Sequence, residues 1–256
     1  MAAVVGGRGD ALSATEWPSA YIASRLEKEL MLFRCYWSGT WRPEMRLTGA
    51  EHVSSALRTG RGVVLWVAPF VLSDLVTKMT FQQSGFDVTH LSRFSHGYSD
   101  TKFGVAVLNP IHTRIEDRYL AERVVMGPEG SAAGLRAWSR QLARGKLVSI
   151  ALGHRGRRVH TIPFLDGQIT VADGAVKQAR RAGAVLLPVF TVREASGCFD
   201  THVGAPLPAN DIEAPEADTV KTIAAYVALL EGYASSHPEQ WCWHIKVSLP
   251  PKKQNT

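Results

Sequence analysis

The most restrictive feature of this chain is a recurring order: a short apolar run, a turn, then a helix-length stretch. Val63–Val67, Leu147–Leu152 and Ala184–Val192 are the clearest runs. A strand apolar at successive positions is covered on both faces, which is the condition of a parallel sheet held between helices. Helical segments fall between these runs at Ser73–Ser84, at Ser131–Arg144 closed by Gly145, at Gly174–Ala182 closed by Gly183, and at Asp218–Ser235. A glycine just past a helix ends it by taking the positive φ that other residues resist. Further strands are expected at Phe86–Leu91, Arg123–Met126 and Trp241–Val247, and a helical stretch at Ile115–Glu122. The pattern predicts an α/β fold, a mostly parallel central sheet flanked by helices on both faces.

Residues 1–16 are small and glycine-rich and are expected to be a flexible N-terminus. Between 17 and 250 no linker, repeat or low-complexity stretch interrupts the alternation, so one domain is expected, followed by a tail at 251–256. With 45% hydrophobic and 20% charged residues, an ordinary core can form. The net charge of +6 and a pI near 9.4 suit a phosphate-bearing partner, whether an anionic membrane, a phosphopantetheine carrier or RNA. Three widely spaced cysteines (Cys35, Cys198, Cys242) match neither a disulfide framework nor a zinc site, and point to a reducing cytoplasm. No apolar run reaches the roughly 18–20 residues that span a bilayer, and Met1–Asp10 does not have the form of a signal peptide.

From Trp17 the pattern is helical, with Tyr21, Leu26, Leu30, Phe33 and Trp37 recurring at spacings of three to five. Such a stripe is ordinarily core. The density of aromatics over residues 17–41 also suits peripheral contact with a membrane.

Several segments follow one another in an order that carries more information than any one of them. They are Gly49-Ala50-Glu51-His52 leading through Gly60-Arg61-Gly62 into the first apolar run; Leu142-Ala143-Arg144-Gly145-Lys146-Leu147-Val148; Ile162-Pro163-Phe164-Leu165-Asp166-Gly167 with Ala172-Asp173-Gly174-Ala175 and Gly183–Phe190; and His237-Pro238-Glu239-Gln240-Trp241-Cys242-Trp243. Together, over roughly residues 45–247, they resemble the bacterial lipid A biosynthesis acyltransferases, within the wider lysophospholipid acyltransferase fold.

In that family a histidine, four intervening residues and an acid follow the first strand. The histidine deprotonates the acceptor hydroxyl and the acid orients it. The resemblance puts these positions on Pro69 and Asp74. Base catalysis of this kind contributes about 10²–10⁴-fold, and proline has neither a titratable group nor an amide hydrogen to offer. The chain also departs from the family after Leu147–Leu152, where it reads Gly153-His154-Arg155-Gly156-Arg157-Arg158, and in lacking the family's N-terminal membrane helix.

What the resemblance implies is a divergent acyltransferase that moves an acyl or aminoacyl group from an activated donor to a small hydroxyl or amine acceptor, in specialised metabolism. The donor would be an acyl carrier protein or CoA thioester, or an aminoacyl-tRNA. An acceptor amine of low pKa needs little base assistance, since positioning supplies much of the barrier reduction. Asp74 and His154, just past the end of a central strand, are the catalytic candidates, with His90 and His96 as further candidate bases. Pro69, Arg93, Arg118 and Glu129 are expected at the substrate, with Arg123 an alternative arginine. No metal-ligand spacing or cofactor fingerprint is present in the sequence. A catalytically silent homologue that binds a lipid or partner protein is the alternative from another class, and a peripheral lipid acyltransferase at the inner membrane is the third.

Overall fold

The computed structural model describes residues 17–37, 41–94, 96–97, 101–127, 132–153, 155–208, 215–242 and 247–248. Its helices are α1 (Trp17–Trp37), α2 (Ala50–Arg58), α3 (Ser73–Gln83), α4 (Asn109–Asp117), α5 (Ala132–Ala143), α6 (Gly174–Ala182) and α7 (Pro215–Ser236). The strands are β1 (Met45–Thr48), β2 (Val63–Val67), β3 (Val88–Arg93), β4 (Glu122–Met126), β5 (Leu147–Ala151), β6 (Val159–Phe164), β7 (Gly167–Ala172), β8 (Val185–Arg193), β9 (Phe199–Val203) and β10 (Val247–Ser248). The main sheet has the order β1-β9-β8-β2-β5-β3-β4, and only the β8–β9 pair is antiparallel. A smaller antiparallel sheet, β10-β7-β6, stands beside it.

Strand β2 shows why the expected parallel sheet forms. All five of its residues are buried, and alternate side chains go to opposite faces. Val64 and Trp66 enter the core that also holds Trp138 of α5, Val176 of α6 and Tyr226 of α7. Val63, Leu65 and Val67 enter a second core with Val53 of α2 and Phe81 of α3. The glycine before β2 is a matter of space, because a Cβ on Gly62 would lie 2.4 Å from the carbonyl oxygen of Leu142 in α5. Gly49 combines a φ of +80° with a Cβ position 2.1 Å from the Val203 carbonyl oxygen.

Three expectations change. Helix α4 spans Asn109–Asp117 where Ile115–Glu122 was expected. A π-helical segment, Gly104–Leu108, leads directly into it, and Pro110 follows as its second residue. Of the Trp241–Val247 strand, Trp241 forms an isolated bridge with Phe70, residues 243–246 lie outside the described residues, and Val247 pairs with Ile169. The stripe on α1 is not core: Leu26, Leu30, Phe33 and Trp37 are all exposed. Leu32 and Cys35 face inward in their place.

Candidate functional site

Strand β2 ends in a turn held from several sides. Its Ala68 amide donates to the Val189 carbonyl at 2.8 Å, and the Ser73 hydroxyl bridges the turn, donating to the Phe70 carbonyl at 2.8 Å and accepting from its amide at 3.1 Å. Leu72, buried and at φ +68°, sits at the start of α3. A left-handed leucine costs about 1–3 kcal/mol and persists only where its surroundings enforce it.

That enforcement comes from Gln240–Cys242. The Val71 amide donates to the Gln240 carbonyl at 2.7 Å, and the Cys242 amide donates to the Pro69 carbonyl at 3.1 Å. The Gln240 side chain is anchored in turn on β8: it accepts from the Arg193 amide at 2.7 Å and donates to the Arg193 carbonyl at 2.8 Å. Trp241 packs edge-on against Phe70 and contacts Phe164 at the β6–β7 turn. Two of the sequence segments that carry the resemblance, and the turn that follows the first apolar run, therefore meet at one buried indole.

The turn delivers Asp74 to the first turn of α3, beyond the carboxyl end of β2. A ladder of buried threonine hydroxyls fixes the helix against β8 and β9, with Thr77–Thr191 at 2.7 Å, Thr191–Thr201 at 3.1 Å and Thr201–Thr80 at 3.3 Å. Asp74 lies at the edge of a charged cluster. Its Oδ2 accepts from Lys28 Nζ of α1 at 3.0 Å and lies 3.6 Å from His112 Nε2 of α4, while 28% of its side chain stays accessible. One turn along α3, Lys78 Nζ lies 2.7 Å from Glu116 Oε2. Glu116, fully buried, also receives Arg123 at 2.6 Å, His112 at 2.8 Å and His96 at 3.0 Å. Behind them His90 Nδ1 pairs with the Ser149 hydroxyl at 2.8 Å, across two strands in register.

The protonation states follow from these contacts. Burial opposes the charge of Asp74, but Lys28 and His112 outweigh it and hold the carboxyl well below its ordinary range. Burial likewise opposes Glu116, and Lys78, His96 and His112 overcome it. Burial pulls His112 down, yet its bonds to Asp74 and Glu116 raise it to about 9, making it an imidazolium at neutral pH. Lys28 is raised, Asp74 prevailing over burial. Lys78 and His90 go the other way, with burial the largest cause for each, so His90 is neutral.

His96, His112 and Glu116 bring ligand atoms within 4.8 Å of one another, close enough to hold a divalent ion. Lys78 and Arg123 already occupy Oε2 of that carboxylate. Asp74, Glu116 and Asp117 are also matched by the cations Lys28, Lys78 and Arg123 at ion-pair distance. With His112 protonated the cations already exceed the acids, and a metal ion would add to that excess, so we read the cluster as an ion-pair network.

Of the residues singled out in the sequence, the fold brings Asp74, His90, His96 and Arg123 into this cluster. Pro69 lies in the supporting turn and contributes its carbonyl to Cys242. Arg93 is exposed at the end of β3. The exposed Arg118 donates to the Cys35 carbonyl at 3.3 Å. Glu129 and His154 lie outside the described residues. Sequence reasoning missed Lys28, Lys78, His112 and Glu116. The available signal was the His112–Glu116 spacing of four on a helix, which puts both on one face. A groove of about 320 Å³ lined by His52, Arg61, Val185 and Leu207 lies at the amino ends of β2 and β8. Ligands of open parallel sheets bind at the carboxyl ends, which favours the Asp74 cluster over that groove.

A model of the bacterial lipid A biosynthesis acyltransferase family matches residues 10–246. No curated protein matches the chain. With nearly its whole length covered, the chain belongs to this family, and it is an acyltransferase.

Proposed function

We propose that this acyltransferase moves an acyl or aminoacyl group from an activated donor to a small amine or hydroxyl acceptor, with Asp74 as its catalytic carboxylate. The observation that carries the reading is the setting of Asp74: ionised, partly accessible, at the end of β2, with cationic partners from two other helices. The family resemblance assigns the histidine position to Pro69, so Asp74 has no ring at that position to orient. His112 and Lys28 take its place as partners of the carboxylate.

In the reaction the acceptor nitrogen or oxygen attacks the donor carbonyl carbon. The bond to the leaving sulfur or oxygen breaks with its electron pair, and the acceptor's proton passes through solvent to the departing thiolate or alkoxide. His112 is already protonated at neutral pH, so its contribution is positive charge for the developing oxyanion, and Asp74 accepts the hydrogen bond of the attacking N–H or O–H. An amine acceptor of low pKa suits this site best, because it asks least of a base. The donor belongs to the class of carrier or CoA thioesters and aminoacyl-tRNA esters, and the pathway to specialised metabolism. Arg93 and Arg118 are proposed for the anionic part of donor or acceptor, with Glu129 at the acceptor and His154 as an auxiliary base. Residues 17–41 provide peripheral contact with the inner membrane from the cytoplasmic side.

The test is release of free thiol from a soluble acyl thioester by the purified protein, with amine and alcohol acceptors compared. Turnover that favours amines and is lost in Asp74→Asn supports the reading. Equal turnover by the variant removes Asp74 from the mechanism.

A further inference from the structure

The groove at the amino ends of β2 and β8 has two unlike walls. His52, Ser55, Ala56 and Thr59, spaced three, one and three, are one face of α2, and Arg61 follows in the turn into β2. The facing wall is apolar, built from Val185 and Leu186 of β8 with Pro206 and Leu207. At about 320 Å³ the groove is within the size range of small-molecule sites. Arg61 Nε donates to the Gly183 carbonyl at 2.5 Å, which anchors the guanidinium, and among the described residues no carboxylate pairs with it. The His52 ring likewise has no hydrogen-bond or ion-pair partner among the described residues. The Ser55 hydroxyl accepts from Arg58 at 2.9 Å and keeps its own hydrogen to donate. The polar wall therefore offers donors and one fixed cation, and no acid.

The charge around it has one sign. Arg58, Arg144, Lys146 and Arg181 are exposed at this edge, where the chain enters β2, β5 and β8. The exposed acids of the same edge, Asp87 and Glu122, stand before β3 and β4, beyond β5 in the sheet order. Glu51 of α2 lies off the lining face. A concave surface walled by one sign of charge concentrates anions. Strand β2 separates the groove from the Asp74 turn by five residues, about 17 Å, so an occupant does not touch the reacting atoms. Its place at the amino ends argues against catalysis, not against binding.

We propose that this groove is a second ligand site, for a small organic anion with an apolar body of about ten carbons and one carboxylate or phosphate head. The body rests on Leu186 and Leu207, and the head takes the Arg61 guanidinium and the Ser55 hydroxyl. The ligand is bound without being turned over, so the site stands independently of the acyl transfer proposed at Asp74.

Titration of the full chain with 1-naphthyl phosphate, 1-naphthoate, 1-naphthylmethanol and inorganic phosphate, followed by NMR of the ligand, tests it. The two naphthyl anions are expected to bind with Kd on the order of 1 mM or below, and the tighter of them identifies the head. The neutral alcohol and bare phosphate are expected to bind at least about tenfold more weakly. Arg61→Gln is expected to lose about ten- to hundredfold in affinity for the anions. Ser55→Phe, which fills the groove, is expected to abolish their binding. Both positions are exposed, so both variants are expected to fold, with circular dichroism as the check. Arg144→Gln, at the same edge but outside the groove, is expected to bind like the parent. The proposal is overturned if neither naphthyl anion binds below about 10 mM. It is also overturned if the alcohol or phosphate binds as tightly as they do, if either groove variant keeps the parent's affinity, or if Arg144→Gln loses it.

Discussion

Asp74 and Glu116 both lean on His112, at 3.6 Å and 2.8 Å, but one faces outward and the other is sealed. Glu116 has no accessible side-chain surface and four cationic or imidazole partners. Asp74 has two such partners on Oδ2, an Oδ1 that is buried without a hydrogen bond, and 28% of its side chain accessible. The difference separates two uses of a carboxylate. A fully enclosed ion hub fixes the relative placement of α3, α4 and β4 and has no free direction for a substrate. A carboxylate at the edge of that hub inherits its electrostatics and keeps part of its side chain accessible.

Removing the hub should have the largest effect. Glu116→Ala takes from Lys78 and His96 their ion-pair partner and from Arg123 and His112 one of two, and a loss of about 3–5 kcal/mol is expected. For a chain of this size that is a fall in Tm of roughly 6–20 °C by calorimetry. An unchanged Tm would contradict the division of roles. Asp74→Asn should weight the two effects the other way: a smaller fall in Tm than Glu116→Ala, but turnover lower by about 10²–10⁴-fold. If that variant unfolds as Glu116→Ala does, the two carboxylates are not functionally distinct.

Acidity should resolve the pair next. The folded-state pKa of His112, about 9, lies above its ordinary 6.5, so its contribution is complete below pH 6.5 and is lost as pH rises through 9. The size of that limb is about 3 kcal/mol at most. Asp74 and Glu116 are depressed, so their contribution is present above the ordinary carboxyl range and is lost as pH falls below it. Urea unfolding between pH 2 and 10, compared with His112→Gln, reads both limbs; the variant should flatten the alkaline limb and, because His112 helps hold both carboxyls low, also shrink the acidic one. The smallest effect is expected from Lys28→Met. Water can reach Asp74 in place of the ammonium, so stability should fall by about 1 kcal/mol. The acidic limb of the pH–rate profile should move upward as Asp74 loses its strongest ally. A profile that does not move would mean that Lys28 has no hold on the reacting carboxylate.

Much of the scaffold was legible because its determinants are local. The apolar run Val63–Val67 declared a doubly covered strand, and Gly183 ended α6 where it was expected. Asp74 was legible through the family frame. The rest of the cluster was not, because Lys28, His112 and Glu116 look like ordinary polar helix residues until the fold closes stretches of tens of residues between them. The direction of α1 failed for a related reason. Its apolar periodicity was real, but the inward face was decided by long-range partners of Lys28, Glu27 and Arg25. Periodicity gives an amphipathic helix without saying which side the protein claims.

The clamp between Val71 and Gln240 has a consequence for the timing of maturation. The turn that carries Asp74 is synthesised early, yet the groups that hold it are made some 170 residues afterwards. At synthesis rates of about 5–20 residues per second, the nascent chain spends on the order of 10–30 s with that turn unbraced. During this interval the left-handed Leu72 lacks the bonds of its turn to Gln240 and Cys242, and Asp74, the proposed catalytic carboxylate, is among the last residues to reach its final setting. Slow codons or chaperone contacts between these two points would alter the yield of active protein without altering a single residue of the site.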